Sequence, residues 1–198
     1  MTILVLGVIP SPLTPIIENH CLNVIECADP ISTEYLRTHS VEFAVRYRYR
    51  HIIQKAVIDC LNGNIINLHI SLLPWNRGAD PNLWSFLEDT PKGVSIHYID
   101  EGIDTGDIVA QKELFFNNDA ETLASTYKKL NVEILELFKI YWEPIINGTI
   151  DRKKQTQTGS FHKISDKETF QFLIADKGWK TPVGNLVGKA LVNSGKRK

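Results

Sequence analysis

The sequence is poor in cysteine and has no excess of charge of either sign. Its 198 residues include three cysteines, Cys21, Cys27 and Cys60, and an odd count without metal-site spacing argues against a disulfide framework. We therefore expect reduced, buried thiols in a cytoplasmic protein. Twenty-two Lys and Arg against 23 Asp and Glu give a net charge of −1. This balance disfavours a partner bound through a nucleic-acid backbone.

Long hydrophobic runs and two common catalytic motifs are also missing. The apolar stretches are short and interrupted by polar residues, which excludes a transmembrane helix. Residues 1–12 have no basic region before their apolar run, so no signal peptide is expected. The chain has neither G-x-S-x-G nor G-x-G-x-x-G. Neither an acyl-enzyme serine nor a dinucleotide phosphate loop is therefore predicted.

Short apolar runs alternate with helical segments in the first half of the chain. Strands are predicted at residues 2–8, 21–28, 41–47 and 64–70, with a later hairpin-like pair at 93–100 and 108–116. This order predicts an α/β fold: a Rossmann-like, mixed and mostly parallel sheet with helices on both faces. The most regular helical pattern follows a capping box formed by Asn118 and Glu121, and Pro144 is expected to kink or end that helix. We expect a catalytic domain over 1–150 and a short, polar C-terminal arm or hairpin over 151–198.

Three polar residues form the candidate catalytic group. Asn67 and His69 alternate on one predicted strand, so their side chains project from the same face near its C-terminal end. Ligands bind at that edge of open parallel sheets. An amide and an imidazole can donate hydrogen bonds to a carbonyl oxygen that gains negative charge. Asp104, in the turn GIDTGD, can accept a proton from an attacking amine or hold His69 in its charged form.

Other interpretations of these residues stay open at this point. His69 is also suited to the interior of a core, and Asp104 to stabilising its own turn. His69, His97 and Asp104 together suggest a metal site, but their spacing matches no metal-binding motif, so no metal is expected.

Two segments resemble the signature of the formyltransferase family that uses 10-formyltetrahydrofolate. They are NLHISLLPWNRGADPN (67–82) and GVSIHYIDEGIDTGDIVAQ (93–111). The family pattern runs Asn-x-His-x-Ser-Leu-Leu-Pro, then an Arg-Gly pair, then Asp-x-Gly-x-Asp-Thr-Gly, and this chain has each part in that order. The resemblance covers residues 41–145 and implies the formyltransferase fold, with Asn67, His69 and Asp104 as the catalytic residues.

The resemblance also implies where 10-formyltetrahydrofolate binds. The segment YRYRHIIQ (47–54) is similar to a stretch that lines the family's pterin slot, and the turn after residue 99 closes the other side. The implied cofactor contacts are Tyr49, Arg50, His51, Ile52, Asp100 and Gly102. The chain departs from the family with Arg50 for the usual Gly and Gln54 for the usual Pro, which affects the side-chain contacts of the slot.

The loop after the catalytic strand indicates the class of substrate. Residues 74–100 and the segment GSFHKISDKE (159–168) resemble the nucleotide-sugar N-formyltransferases. This resemblance implies a UDP- or dTDP-linked 4-amino-4,6-dideoxy sugar, a pseudaminic-type 4-amino altrose being one candidate. Trp75, Arg77 and Asn82 are the expected substrate contacts. A salt bridge that holds the loop is the alternative for Arg77, and helix capping is the alternative for Asn82.

Two further functions stay open, and one assembly is expected. The chain is alternatively a formyltransferase for another small amine, of the glycinamide ribonucleotide type, or a folate-binding protein without turnover. A homodimer is expected from the aromatic C-terminal arm, with no membrane or nucleic-acid partner.

Overall fold

One mixed sheet of six strands organises the chain, in the order β2-β1-β3-β4-β6-β7. A computed structural model describes residues 1–20 and 23–193, so Cys21, Leu22 and residues 194–198 lie outside the described residues. The sheet strands are β1 (Thr2–Gly7), β2 (Asn23–Cys27), β3 (Val41–Tyr47), β4 (Ile65–His69), β6 (Gly93–Tyr98) and β7 (Ile108–Glu113). A separate parallel pair joins β5 (Arg77–Gly78) to β8 (Phe161–His162).

The strand directions confirm the predicted mixed sheet. Strand β1 pairs in parallel with β2 and β3, β3 pairs in parallel with β4, and β6 runs antiparallel to β4. Strand β7 returns beside β6: the Tyr98 N–H donates to the Asp107 carbonyl, and the Leu114 N–H donates to the Lys92 carbonyl. These two crossed bonds are the antiparallel pattern.

Seven α-helices lie among the described residues. They are α1 (Thr14–Glu18), α2 (Thr33–Thr38), α3 (Lys55–Cys60), α4 (Pro81–Leu87), α5 (Leu123–Ile146), α6 (Gln171–Ile174) and α7 (Lys189–Asn193). None of the helices in the described part of the chain combines the length and the apolar composition needed to cross a membrane.

Continuous apolar strands place helices on both faces of the sheet. Leu4 and Ala44 belong to a buried cluster with Val57 of α3, whereas Phe43, the neighbour of Ala44, meets Trp142 of α5 edge to face at 5.8 Å. Because adjacent residues on a strand point to opposite faces, α3 and α5 cover opposite faces of the sheet.

The chain divides into two compact units by its internal contacts. The first comprises residues 1–69, 95–110 and 134–155, and the second comprises residues 70–94, 111–133 and 156–198. The first unit contains the parallel strands and the apolar cluster around Leu4. The second contains a core formed by Trp84, Phe86 and Leu123 with residues from the C-terminal segment. The predicted boundary at residue 150 stays a prediction.

Helix α5 begins later than the capping pattern predicts. Its N-terminal bonds are made by Thr122 and Ser125: the Ser125 N–H donates to Thr122 Oγ1, and the Thr122 N–H donates to Ser125 Oγ. The expected box of Asn118 and Glu121 is therefore wrong, since the observed pair lies four residues later with the same spacing of three. The helix also continues past Pro144 to Ile146.

The C-terminal segment is folded rather than an exposed hairpin. It forms β8, short 3₁₀ turns and the helices α6 and α7. Its residues Phe170, Val183 and Leu186 are buried and belong to the core of the second unit. These apolar side chains account for the folding of a segment whose composition is otherwise polar.

Candidate active site

Asn67 and His69 occupy the last half of the short strand β4. The strand is fully buried, and Asn67 and His69 are only 4% and 7% exposed. The run IINLHI is apolar except at these two positions, which share a face because side chains alternate along a strand. Two buried polar groups in such a run require polar partners.

Asp104 supplies those partners from the loop between β6 and β7. Asn67 donates from Nδ2 to Asp104 Oδ1 at 3.1 Å, and Nδ1 of His69 lies 3.7 Å from Asp104 Oδ2. Asp104 is 7% exposed and has a left-handed backbone, with φ of 54°. The three residues expected from the sequence are therefore brought together within the first unit.

His97 on β6 joins this group, although the sequence pattern did not assign it a catalytic role. Its Nδ1 lies 2.8 Å from the Tyr98 carbonyl oxygen, and its Nε2 lies 3.1 Å from Asn67 Nδ2. A carbonyl oxygen only accepts, so we assign the proton of the neutral ring to Nδ1. Nε2 then accepts from the Asn67 amide, and both amide hydrogens of Asn67 are engaged.

Two more residues support Asp104 from other parts of the first unit. The Arg46 guanidinium on β3 lies with Nη1 3.8 Å from Asp104 Oδ1, and it donates from Nη2 to the Tyr49 carbonyl at 3.0 Å. Burial lowers the pKa of Arg46, and the Asp104 carboxylate opposes that change. Gln155 donates to the carbonyls of Asp104 and Gly106 at 3.0 and 2.8 Å, which fixes the backbone of the loop.

A cavity of about 100 Å³ opens beside this cluster in the first unit. Its walls are apolar at Ile52, Ile53 and Ile99, and Arg46, His97 and Asp104 line it with the loop 100–103. Of the residues expected to hold a cofactor, the structure places Ile52, Asp100 and Gly102 in this lining.

The other expected cofactor residues lie differently. Tyr49 is buried in the apolar cluster and donates its hydroxyl to the Asp29 carbonyl at 2.7 Å. His51 contacts the Tyr49 ring edge to face at 5.1 Å, and Arg50 is exposed. Gln54 precedes α3 without a side-chain capping bond. Their roles in cofactor binding stay predictions.

The residues expected to bind substrate belong to the second unit. Trp75 is half-buried and lines a cavity of about 930 Å³ with Trp84 and other residues of that unit. Arg77 lies on β5 and donates from Nε to the Pro74 carbonyl at 3.3 Å. Both side chains stay predicted substrate contacts.

Asn82 does not cap α4, which corrects that alternative. The capping position is Asp80, and Asn82 lies inside the helix at 2% exposure. Its Nδ2 donates to the Leu123 carbonyl at 3.0 Å, and its Oδ1 accepts from Thr126 at 3.0 Å. A polar residue near the start of a helix fits the sequence pattern of a cap, but the Asn82 side chain instead bonds to Leu123 and Thr126. Its contact with substrate stays a prediction.

The cluster in the first unit combines hydrogen-bond donors with a carboxylate acceptor. No group of three His, Cys, Asp or Glu residues suited to a metal ion is found within residues 1–20 and 23–193. An amide and an imidazole next to a buried carboxylate can stabilise an oxyanion and accept a proton. That combination fits acyl transfer to an amine.

Several known proteins are similar to this chain in fold and sequence. The family model described as formyl transferase matches residues 8–137. The crystal structure of the formyltransferase PseJ from Anoxybacillus kamchatkensis is 45% identical, with a TM-score of 0.91 over 96% of this chain and 100% of that chain. That crystal contains UDP-4,6-dideoxy-4-formamido-L-AltNAc and tetrahydrofolate.

Curated relatives carry other substrate names. Methionyl-tRNA formyltransferase of Thermodesulfovibrio yellowstonii is 39% identical over 124 residues, which is 61% of this chain and 39% of the relative. Phosphoribosylglycinamide formyltransferase of Bacillus subtilis is 38% identical over 100 residues, which is 49% of this chain and 51% of the relative. The chain thus spans about half or less of the length of these curated relatives.

Proposed function

Because this chain belongs to the formyl transferase family, we propose that it transfers the formyl group of 10-formyltetrahydrofolate to the amine of a nucleotide-linked 4-amino-4,6-dideoxy sugar. The similarity to PseJ, which is 45% identical and is covered over its whole length, is the observation that supports a sugar substrate. The PseJ crystal contains a UDP-linked formamido sugar and tetrahydrofolate, the chemical counterparts of product and spent donor. The net charge of −1 gives no support to a tRNA substrate.

The reaction is a direct transfer between two nitrogens. The lone pair of the sugar amine attacks the formyl carbon, and the carbonyl electrons move to oxygen. When the intermediate collapses, the bond from carbon to N10 of the folate breaks, N10 gains a proton, and the new amide nitrogen has lost one. The protein therefore has to stabilise an oxyanion and move a proton.

Asn67 and His69 are suited to the oxyanion. His69 turns Nδ1 toward Asp104, and its charged form then directs the Nε2–H away from the carboxylate. One amide hydrogen of Asn67 has to leave its present partner, either His97 or Asp104, when the formyl oxygen arrives. Donors fixed in a buried site are worth more than the same donors in water.

Asp104 is suited to the proton transfer. Its carboxylate is buried and lies next to both expected oxyanion donors, so it can accept the amine proton directly or through a water molecule. An ionised Asp104 also favours the charged form of His69. Activity is therefore expected to require the carboxylate form of Asp104.

The cavity of about 100 Å³ is suited to a ring of the folate. Its isoleucine walls match the faces of a flat heteroaromatic ring, and the backbone of the loop 100–104 offers groups to its polar edge. The cavity shares Asp104 with the catalytic group, which would bring the donor's formyl carbon near Asn67. The homodimer and the cytoplasmic location stay predictions.

A mass-spectrometric assay tests the substrate class. The protein is incubated with 10-formyltetrahydrofolate and a panel of UDP- and dTDP-linked 4-amino-4,6-dideoxy sugars, with glycinamide ribonucleotide as the competing amine. A formyl mass gain on one amino sugar is expected, and tetrahydrofolate without the formyl group is the control. A gain on glycinamide ribonucleotide alone would assign the chain to another small amine. No gain on any amine, with folate bound, would make it a binder without turnover.

A further inference from the structure

Polar residues of three neighbouring strands form one row across the sheet. Arg46 of β3 is the register partner of Asn67 of β4, and Asn67 is the register partner of His97 of β6. On the outer side of β3 the row continues with an apolar residue, Leu6 of β1. The polar row therefore begins at Arg46. The side chains of Arg46, Asn67 and His97 all approach the Asp104 carboxylate.

Arg46 is an unusual residue for the interior of a sheet. Its side chain is 27% exposed and sits in the run VEFAVRY, where the neighbouring strand residues are apolar. Its Nε has no hydrogen-bond partner within the part of the chain that the structure describes. A cation that is partly desolvated and incompletely paired costs folding free energy, and the Asp104 carboxylate that faces it is itself buried.

Arg46 differs from the other groups that face Asp104. The other groups that face Asp104 include Asn67 and His69 on β4 and His97 on β6. Histidine is in general the side chain that exchanges its proton near neutral pH, and His97 is assigned here as neutral because its Nε2 accepts from Asn67. Arginine keeps its charge through the physiological range. Arg46 therefore supplies a positive charge beside the carboxylate at every pH at which the protein works.

We propose that Arg46 is a positioning residue that keeps Asp104 ionised and turned toward Asn67 and His69. The other terminal nitrogen of the guanidinium, Nη2, donates a hydrogen bond to the Tyr49 carbonyl and holds the charged group in place. This proposal rests on the proposed function, because the ionised Asp104 matters only if it accepts a proton. Arg46 itself does not have to touch either substrate.

Two variants of Arg46 test the proposal through the pH dependence of kcat/KM. Arg46→Met removes the charge and keeps the length, so kcat should fall about tenfold or more, since Asp104 loses its fixed cation. The acidic limb of the profile should move to higher pH by about one to three units, the effect expected when a carboxyl loses a neighbouring arginine. Arg46→Lys restores a charge and should return the limb close to that of the wild type. Arg37→Met removes an exposed arginine of α2 and is the matched control.

The stability of the variants separates positioning from packing. Arg46→Met leaves the buried Asp104 carboxylate without its cation, so it should unfold at a lower temperature than the wild type and lose more activity than its folded fraction explains. The proposal is overturned if folded Arg46→Met keeps wild-type kcat and pH profile. It is also overturned if activity falls only with the folded fraction while the acidic limb stays in place.

A measurement without substrate distinguishes this proposal from the proposed function. The carboxyl carbon of Asp104 is followed by NMR across pH, with Asp104→Asn used to assign its signal. In the wild type the carboxyl should be ionised at every pH above the acidic limb of the activity profile, and in Arg46→Met it should become protonated at higher pH than in the wild type. A wild-type Asp104 that is protonated at pH values above that limb overturns the proposal, also when Arg46→Met does not fold. A failed amine panel with the expected titration would refute only the substrate assignment.

Discussion

Replacing Asn67 by Ala separates the chemical role of the amide from its structural role. The substitution removes one of the two expected oxyanion donors and leaves His69 and Asp104 in place. Loss of one such donor lowers kcat by about 10²- to 10³-fold, or about 2.7–4 kcal/mol of transition-state stabilisation. Because the amide also contacts His97 and Asp104 in the ground state, a stability cost accompanies the kinetic one.

The stability cost follows from the two hydrogen bonds of Asn67. His97 Nε2 and Asp104 Oδ1 each lose a donor at 3.1 Å, and both residues are buried. Buried groups left without a partner cost about 1–3 kcal/mol. In a chain of this size, about 1 kcal/mol corresponds to about 2–4 °C in Tm. The variant should therefore stay folded at 25 °C with a measurably lower Tm.

The assay measures kcat and KM for the amine and for the folate separately. The loss should fall mainly on kcat, because a donor to the oxyanion acts in the transition state. Asn131→Ala is the matched control, since that amide lies on α5 and donates to the Tyr127 carbonyl. A folded Asn67→Ala protein with kcat within about threefold of the wild type, or a loss confined to KM, would refute the assignment of Asn67.

Two predictions concern stability rather than catalysis. The hydrogen bond with Lys129 lowers the pKa of Glu121 below its ordinary 4.5, so this carboxylate stabilises the fold above about pH 4.5, and the contribution is lost as the pH falls through the lower folded value. Glu121→Gln should remove about 0.2–1 kcal/mol at pH 7 and flatten the acid side of the stability curve in urea unfolding; an unchanged pH slope would contradict this. Gly106→Ala would place a Cβ 2.0 Å from the Tyr98 carbonyl oxygen, a backbone atom, and should lower the stability by about 1–3 kcal/mol or more. Gly148→Ala meets no atom within 4 Å and has only its φ of +65° as a cost, so equal Tm losses in the two variants would contradict the clash.

The sequence predicts best what depends on short-range patterns. Asn67 and His69 lie on one face because a strand alternates, and the apolar run around them predicts that strand without tertiary information. Asp104 is harder, because it belongs to a loop 35 residues later, so its chemistry made it a candidate but only the motif resemblance favoured the catalytic role over a structural one. The local signal there was a turn, which is equally compatible with a structural aspartate.

Residues that depend on register or on tertiary partners were missed or misassigned. The position of Arg46 beside Asn67 depends on how β3 pairs with β4. An error of one residue in that register would turn the Arg46 side chain to the other face of the sheet. A charged residue in VEFAVRY was the available signal, because an arginine in a buried strand requires a partner. The capping alternative for Asn82 was wrong because its hydrogen-bond partners, Leu123 and Thr126, lie more than 40 positions away.

The residue type at position 67 follows from the number of donors that the site needs. A short side chain on β4 has to reach His97 on one side and Asp104 on the other, and a primary amide offers two hydrogens on one nitrogen. Serine has one donor hydrogen, aspartate has none when ionised, and a lysine is too long and charged for a position that is 4% exposed. When the formyl oxygen takes one hydrogen, the other still holds the amide in place. A side chain with a single donor hydrogen could either stabilise the oxyanion or bond to the residues that hold the side chain in place, but not both.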